Sequence, residues 1–391
     1  MTKLEQLINE LCPNGVEYTT VGECCNISAG GDVPKDRFSK EKTDFYSIPI
    51  ISNGIGENAL YGYTDSPKIT ENAVTVAARG TIGYAEYRDY PYYPIIRLLS
   101  LIPKKPEKLS AKFLFYSLQG REYPVPKSGI PQLTAPNIKN EVIPLPPLPV
   151  QSEIVRILDN FTELTAELTA ELTARKQQYA HYRDTLLKLD NNVPSYTLKD
   201  ICLSIADGDH MPPPKADSGV PFITISNITE TRQIDFSNVM YVPREYYDKL
   251  ADKRKAKRDD ILYTVVGSFG IPVHISSKTE FVFQRHIAIL RPNQQMIVPR
   301  YMYHIMQSTE FYKQADKAAK GAAQRTIGLS SLGNMTIPLP SIEEQKRIVA
   351  ILDRFDTLCN DISAGLPAEI EARQKQYEYY RDKVLTFEPA K

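Results

Sequence analysis

The sequence predicts an α+β protein in which two similar strand-and-loop domains, each a twisted and mostly antiparallel sheet with short helices, are separated by two long antiparallel coiled-coil helices. Three observations carry this prediction. Residues 143–189 are written a second time at 337–387: the first copy opens IPLPPLPVQSEIVRILDNF and closes ARKQQYAHYRDTLL, the second opens IPLPSIEEQKRIVAILDRF and closes ARQKQYEYYRDKVL. Within each copy the apolar residues step by threes and fours, the spacing of one helix face. Ahead of each copy the chain is instead rich in Pro, Gly and Tyr with short β-branched runs, the texture of strands and turns. A repeat of this length divides the chain into two related halves, with boundaries at 1–149, 150–190, 191–341 and 342–391.

Composition sets the outer limits. At 391 residues the chain exceeds what one core usually fills, so two domains are expected. Lys plus Arg equals Asp plus Glu at 47 each, so any basic surface must be local. The five cysteines are odd in number and lack CxxC or CxxH spacing, which predicts reduced thiols in a cytoplasmic protein. Leu4, Leu7, Ile8 and Leu11 are spaced as a short amphipathic helix rather than as the apolar core of a signal peptide. No run reaches the ~18 apolar residues that suggest a membrane span.

In the first domain the runs 46–51, 73–77 and 95–102 read as strands, and Leu109, Phe113, Tyr116 and Leu118 predict a helix ended by Gly120. PLPPLPVQ then stiffens the chain, because proline fixes its own φ and moves the preceding residue out of α. From Ser152 the pattern is helical: Ile154, Leu158, Phe161, Leu164, Leu168, Leu172, Tyr179, Tyr182 and Leu186 form a heptad-like seam. Ile348, Leu352, Phe355, Leu358, Ile362, Leu366, Ile370, Tyr377, Tyr380 and Val384 run the same seam in the second copy. If a pseudo-two-fold axis relates the halves, the two rods are antiparallel partners.

The rods differ in length. Their openings align at an offset of 194 (Phe161 with Phe355) and their endings at 198 (Tyr179 with Tyr377), a change of about one helical turn. The first rod carries the tandem TAEL at 165–168 and 169–172. A four-residue unit lengthens a helix by ~6 Å while nearly keeping its seam in phase. The second rod has Gly365 and Pro367 in the matching region, where either can kink or break it.

Residues 190–336 repeat the texture of the first domain and traces of its sequence. Gly80-Thr81-Ile82-Gly83 corresponds to Gly267-Ser268-Phe269-Gly270, and Ile51-Ser52-Asn53 to Ile225-Ser226-Asn227. Gly129-Ile130-Pro131-Gln132-Leu133-Thr134 corresponds to Gly321-Ala322-Ala323-Gln324-Arg325-Thr326. A shared frame with different loops suits two readers of different targets. Residues 244–258 hold seven Lys or Arg against Glu245, Asp248 and Asp252, a local net of +4. Lys255, Arg258 and their neighbours are therefore either phosphate contacts or a solvated helix face.

The GxxQxT elements lie beside Lys127 in the first domain and Lys317, Lys320 and Arg325 in the second. Gln pairs bidentately with adenine and Arg with guanine, the alternative being a polar loop with no ligand. The G-[TS]-x-G turns have backbone reasons to exist and lack the phosphate-loop pattern. His210, in the loop DGDHMPPPK (207–215), has no second ligand at metal spacing and reads as a base-reading or surface residue. There is no nucleophile elbow, HExxH, Walker motif or NPPY-type tetrapeptide, so no catalytic centre is expected.

On these residues the chain resembles the specificity (S) subunit of type I restriction-modification enzymes. The resemblance rests on two variable domains, each followed by a long helix behind an IPLP lead-in and carrying I-V-x-I-L-D-x-F and R-x-x-Q-Y-x-x-Y-R-D. The TAEL tandem is similar to the subgroup usually called type IC. The resemblance implies two target-recognition domains, each reading half of a bipartite site on double-stranded DNA, with the helices setting the spacer. It also implies docking of two methyltransferase (M) subunits and of restriction (R) subunits. S-adenosylmethionine, ATP and magnesium would belong to those partners, with no cofactor and no catalytic residue in this chain. The candidate DNA contacts are Arg79, Thr81, Lys127, Gln132 and Thr134 in the first domain. In the second they are His210, Lys215, Lys255, Arg258, Ser268, Lys320, Gln324 and Arg325. A detached specificity half of a fused restriction-methyltransferase and a coiled-coil adaptor that binds no DNA are the alternatives that the sequence leaves open.

Overall fold

The computed structural model describes residues 1–124, 131–190, 192–208, 213–321, 324–361 and 364–390. The chain forms two compact units, Met1–Ala166 with Arg373–Lys391, and Glu167–Ala372.

The first domain opens on α1 (Lys3–Leu11), β1 (Tyr18–Thr20), α2 (Val21–Cys24), β2 (Cys25–Ala29), β3 (Ile48–Ile51) and β4 (Leu60–Thr64). It continues through β5 (Ala73–Val76), β6 (Ala85–Arg88), β7 (Tyr93–Pro94), β8 (Leu99–Pro103), α3 (Ala111–Leu118), α4 (Ala135–Lys139) and β9 (Val142–Pro144). The long helix α5 (Leu148–Leu186) follows. The second domain holds β10 (Ser195–Thr197), α6 (Leu198–Ile201), β11 (Cys202–Asp207), β12 (Val220–Ile223), β13 (Met240–Val242), α7 (Arg244–Lys249), β14 (Ile261–Thr264) and β15 (Pro272–His274). After them come β16 (Val282–Phe283), β17 (Ile287–Pro292), α8 (Pro299–Ile305), α9 (Thr309–Ala318), α10 (Leu329–Gly333) and β18 (Thr336–Pro338). The chain closes with α11 (Ile342–Asn360) and α12 (Leu366–Val384).

The faint sequence echo between the domains is a full topological duplication. Among the described residues the first domain has a sheet β2-β8-β5-β6, a sheet β4-β3-β7 and the pair β1-β9. The second has β11-β17-β14-β15, β13-β12-β16 and β10-β18, the same order position by position. Every pairing is antiparallel except β3–β7 and β12–β16, which are parallel in both. Each domain thus has three small sheets where the texture suggested one. Start signals are duplicated too: α2 and α6 begin with reciprocal caps, Thr20 with Glu23 and Thr197 with Asp200, satisfying the orphan amides of a helix start.

The cores are built to the same plan. Val74, Val76, Leu99 and Leu101 pack with Phe113 and Leu118 of α3 and with Ile154 and Leu158 of α5. Ile261, Tyr263, Ala288 and Leu290 pack with Tyr301 and Ile305 of α8 and with Ile348 and Leu352 of α11. Burying Ile154 or Leu158 fully is worth ~1.5–3 kcal/mol each, which is how a solvated helix is held to its domain.

The run 95–102 is strand only from Leu99. Ile96 and Arg97 have φ of 50° and 59°, a left-handed pair that turns the chain between β7 and β8. The first rod is continuous over 39 residues, roughly 58 Å. Its seam is buried at Ile154, Leu158 and Tyr179 and half-buried at Leu164, Leu168 and Leu172. In each unit the opening of one rod meets the closing of the other: Phe161 stacks on Tyr380 at 5.5 Å, and Phe355 on Tyr182 at 5.4 Å.

The second rod is not one helix, which corrects the expectation of a single C-terminal helix over 342–391. α11 ends at Asn360 and α12 begins at Leu366. Gly365 sits so close to the preceding turn that a Cβ there would lie 2.5 Å from the Thr357 carbonyl oxygen. Pro367 occupies the first turn of α12, where its missing N–H costs no helical bond. The two residues flagged in the sequence therefore lie where the rod is broken.

Candidate nucleic-acid interface

In the first domain the turn between β5 and β6 carries Gly80 and Gly83 at φ of 70° and 87°. The segment 131–134 runs beside it, with the Leu133 amide donating to the Ala78 carbonyl at 2.9 Å. This brings Arg79 and Gln132 together: the guanidinium donates from Nε and Nη2 to Gln132 Oε1 at 3.1 and 2.8 Å. Two of the five N–H donors of the guanidinium are used this way, and Arg79 is half-buried. Thr81 is spent on the scaffold, its hydroxyl donating to the Asn53 carbonyl at 2.5 Å. Thr134 precedes α4 and bonds the Asn137 side chain. Lys127 lies outside the described residues.

The second domain repeats the arrangement in a register that corrects the sequence match: Ile327 takes the place of Leu133, and Gly328 that of Thr134 ahead of the next helix, so Thr326 rather than Gln324 stands where Gln132 does. Gly267 and Gly270 have φ of 69° and 96°. The Gly267 amide donates to the Arg325 carbonyl at 3.0 Å, and the Ile327 amide to the Val265 carbonyl at 2.8 Å. Ser268, Gln324 and Arg325 are thus gathered on one exposed cluster, with Gln324 beside Gly267. Arg325 is held by Asp316 at 2.7 Å and lies 5.1 Å over the Phe269 ring, which stacks on Tyr312. Lys320 is exposed and paired through its backbone with Thr326. Lys215 is exposed, and His210 lies outside the described residues.

The basic stretch 244–258 is more self-satisfied than its charge suggests. Arg244 pairs with Glu280 at 2.8 Å, Arg254 with Asp207 at 3.5 Å, and Lys257 with Asp252 at 2.8 Å. Lys255 donates to the Asp248 carbonyl at 2.9 Å and covers the Tyr247 ring. Arg258 is exposed.

The motif text of the rods anchors each domain to its helix. Gln151 Nε2 donates to the carbonyls of Lys108 and Pro146 at 2.7 Å each, while its Oε1 accepts from the Ser110 amide at 2.9 Å. Gln345 makes the equivalent three bonds, to Met296, Pro340 and the Val298 amide. The aspartate of I-L-D-x-F is tied down next. Asp159 takes Lys112 at 2.8 Å and the Tyr116 hydroxyl at 2.6 Å. Asp353 takes Arg300 and His304, both at 2.6 Å. His304 is wholly buried and its Nδ1 meets the Tyr179 hydroxyl at 2.9 Å. Burial pushes the His304 imidazole below its usual range. Burial also works to raise Asp353, but the His304 and Arg300 bonds outweigh it and leave the carboxylate below its ordinary value. Tyr377 holds the matching place in the first unit, on Gln119.

Gln151, Gln345, Asp159, Asp353 and Asn53 were missed as positioning residues by the sequence reading. A signal was present: both glutamines and both aspartates keep the 194-residue offset of the repeat. Asn53 is held in its corner by contacts distant in sequence. Its Nδ2 donates to the Ile96 carbonyl at 2.6 Å and its Oδ1 accepts from the Ala78 amide at 2.8 Å.

All five cysteines are free. Among the described residues no group of three or more His, Cys, Asp or Glu could hold a metal ion. No helix among them is long and apolar enough to cross a membrane.

Comparison with known proteins matches residues 13–175 and 191–372 to the family described as type I restriction modification DNA specificity domain. The chain is 31% identical over 412 aligned positions to the specificity subunit of the Escherichia coli type I restriction enzyme EcoR124I/EcoR124II, covering 99% of this chain and 97% of that one. Its fold is similar to the crystal structure of a type I restriction-modification S subunit from M. genitalium, with TM-score 0.58, 16% identity, and 95% and 96% of the two chains covered. A second solved structure, from work on complex assembly and conformational transition of the type I system, gives TM-score 0.56 at 17% identity, covering 95% and 98%.

Proposed function

The chain belongs to the type I restriction-modification DNA specificity family, and from that premise we propose that each domain reads one half of a bipartite DNA site while the rods set the unread spacer between them. It is a non-catalytic specificity subunit. The observation that carries the division of labour is the duplicated loop cluster: one topology appears twice, and the same pair of segments meets in each copy with different side chains. An invariant frame fixes where a loop stands, and its side chains decide which base edge it meets.

Arg79 with Gln132 faces one half-site, and Gln324 with Arg325 faces the other. Asp316 and the Phe269 ring fix the Arg325 guanidinium, so that little side-chain freedom is lost on contact. Thr81 and Ser268 shape the turns. Thr134, Lys215, Lys255, Arg258 and Lys320, with Lys127 and His210, supply further base or phosphate contacts. The domains for this task are 1–149 and 191–341, and the helical segments are 150–190 and 342–391.

Two M subunits dock on the scaffold and R subunits complete the nuclease. The partners bring S-adenosylmethionine, ATP and magnesium, and this chain supplies recognition alone in a cytoplasmic complex. Selection of bound duplexes from a random library by the chain with its M subunits tests the proposal. Two short half-sites separated by unread bases are expected, and recovery of sequences with no shared motif would contradict it.

A further inference from the structure

We propose that the two-residue turns Ile96-Arg97 and Arg285-His286 are a second base-reading element in each domain, which rests on the half-site reading above. The turns are topological equivalents, linking β7 to β8 and β16 to β17. Their backbone bonds correspond as well. The Ile95 amide donates to the Ile51 carbonyl at 2.9 Å and the Gln284 amide to the Ile223 carbonyl at 3.0 Å, which sets Ile51 against Ile223 and corrects the sequence match of Ile51 with Ile225. The closing bonds, Leu98 to Ile95 and Ile287 to Gln284, are both 3.0 Å.

Each turn is fastened to the loop cluster already described. In the first domain Asn53 does this, gripping the Ile96 carbonyl with its amide and the Ala78 amide with its oxygen. In the second the Val265 amide donates directly to the His286 carbonyl at 2.9 Å. Arg285, His286 and Gln324 then share the wall of one depression of about 430 Å³. A side chain that meets DNA from the cluster therefore has the turn residues as its immediate neighbours.

The side chains suit the task. Arg97 and Arg285 are exposed, and neither guanidinium makes a hydrogen bond or ion pair among the described residues. This separates them from Arg244 and Arg254, which pair with the protein's own carboxylates. A free guanidinium keeps its planar fork for the O6 and N7 edge of guanine. Burial first, and Arg285 second, hold the His286 imidazole below its usual range, so near neutral pH its ring offers one donor and one acceptor.

The backbone of the first turn supports the reading independently, a feature that Arg285 and His286 do not share. Ile96 and Arg97 both occupy the left-handed region, which a β-branched residue adopts only under constraint. Bonds from the Ile96 and Arg97 amides to the carbonyls of Gly31 and Gly30, at 2.9 and 3.0 Å, hold them there. Glycine or asparagine would satisfy such a turn without strain, yet the chain places an exposed isoleucine and an arginine. Strain of this kind gathers at functional sites.

The test is methylation-motif sequencing of cells expressing the chain with its M and R subunits. R97A is expected to relax one or two positions of a single half-site and to slow methylation of the original site roughly ten- to hundredfold. R285A is expected to do the same in the other half-site, with the spacer unchanged in both. Unchanged motifs, or uniform slowing with no relaxed position, overturn the inference. Should either alanine variant fail to fold, R97K and R285K decide: they keep the charge but lose the fork, so relaxation supports base reading and an intact motif overturns it. A wild-type protein that yields no bipartite motif would instead defeat the half-site reading itself.

Discussion

Replacing Gln345 by alanine removes one acceptor and two donated bonds from a fully buried position, leaving the Val298 amide and two carbonyls without that partner. An unsatisfied buried group costs ~1–3 kcal/mol, so Q345A should lose roughly 2–4 kcal/mol in urea unfolding, and Q151A a similar amount. A loss below ~0.5 kcal/mol, typical of surface substitutions, would show that these glutamines are not anchors. The charge network above Gln345 gives a pH dependence. His304, His274 and His286 are all held below the usual imidazole range, with burial the largest cause in each. Below about pH 6.5 the unfolded chain takes up protons that these folded rings refuse. Stability is therefore full above that range and falls as pH drops through it, and Asp353, depressed in turn, adds a further loss at lower pH. All three rings lie in the unit Glu167–Ala372, so its unfolding midpoint should fall between pH 7.5 and 5.5, and less steeply in H304Q. A flat wild-type profile would contradict this. At the reading loops, Q324A should relax one half-site by ~1–3 kcal/mol, whereas weakening spread evenly over all sequences would mark a phosphate contact.

Helix length is a property of elements, and α5 runs unbroken through both TAEL units. Deleting Thr169–Leu172 shortens it by ~6 Å while rotating the C-terminal remainder of the helix by only ~40°. With DNA rising ~3.4 Å per base pair, the spacer should shorten by one to two base pairs with both half-sites intact. Altered half-sites with the original spacer would refute the ruler. At the break in the second rod, G365A places a methyl group within 2.5 Å of a backbone oxygen. It should destabilise by about 1–3 kcal/mol, and an unaffected melting curve would mean the turn is looser than its backbone geometry indicates. Much at this scale was legible in the sequence. The repeat located α5 and α11, and the 3.6-residue period gave the buried Ile154, Leu158, Tyr179, Ile348 and Leu352, although Tyr182 and Leu358 of the same seam are exposed; Gly365 and Pro367 marked the place where a kink or break could fall. The start of β8 was not legible, because 95–102 is a β-branched run whose turn is imposed by bonds to Gly30, Gly31 and Asn53, remote in sequence. Nor was the pairing of Arg325 with Asp316 or of Arg254 with Asp207, since charge counts give no partners.

For the whole molecule the duplication matters most. Two domains of one topology can diverge in their loops independently, because each has its own core and its own glutamine and aspartate anchor on a rod. The glycine turns and the segments that run beside them were legible in the sequence, but not their register: Leu133 and Ile327 make the equivalent backbone bond, so the match of Gln132 with Gln324 is off by two residues. Thr81 is tied to the Asn53 carbonyl, a bond that the sequence does not display. Exchanging residues 195–338 for the matching segment of another family member should therefore change one half-site alone. The most direct test of two-domain reading is methylation-motif sequencing of cells that express this chain with its partner subunits. A bipartite adenine-methylated motif, two defined half-sites around a spacer of fixed length and free sequence, is expected. A single continuous motif, or methylation with no motif, would contradict it.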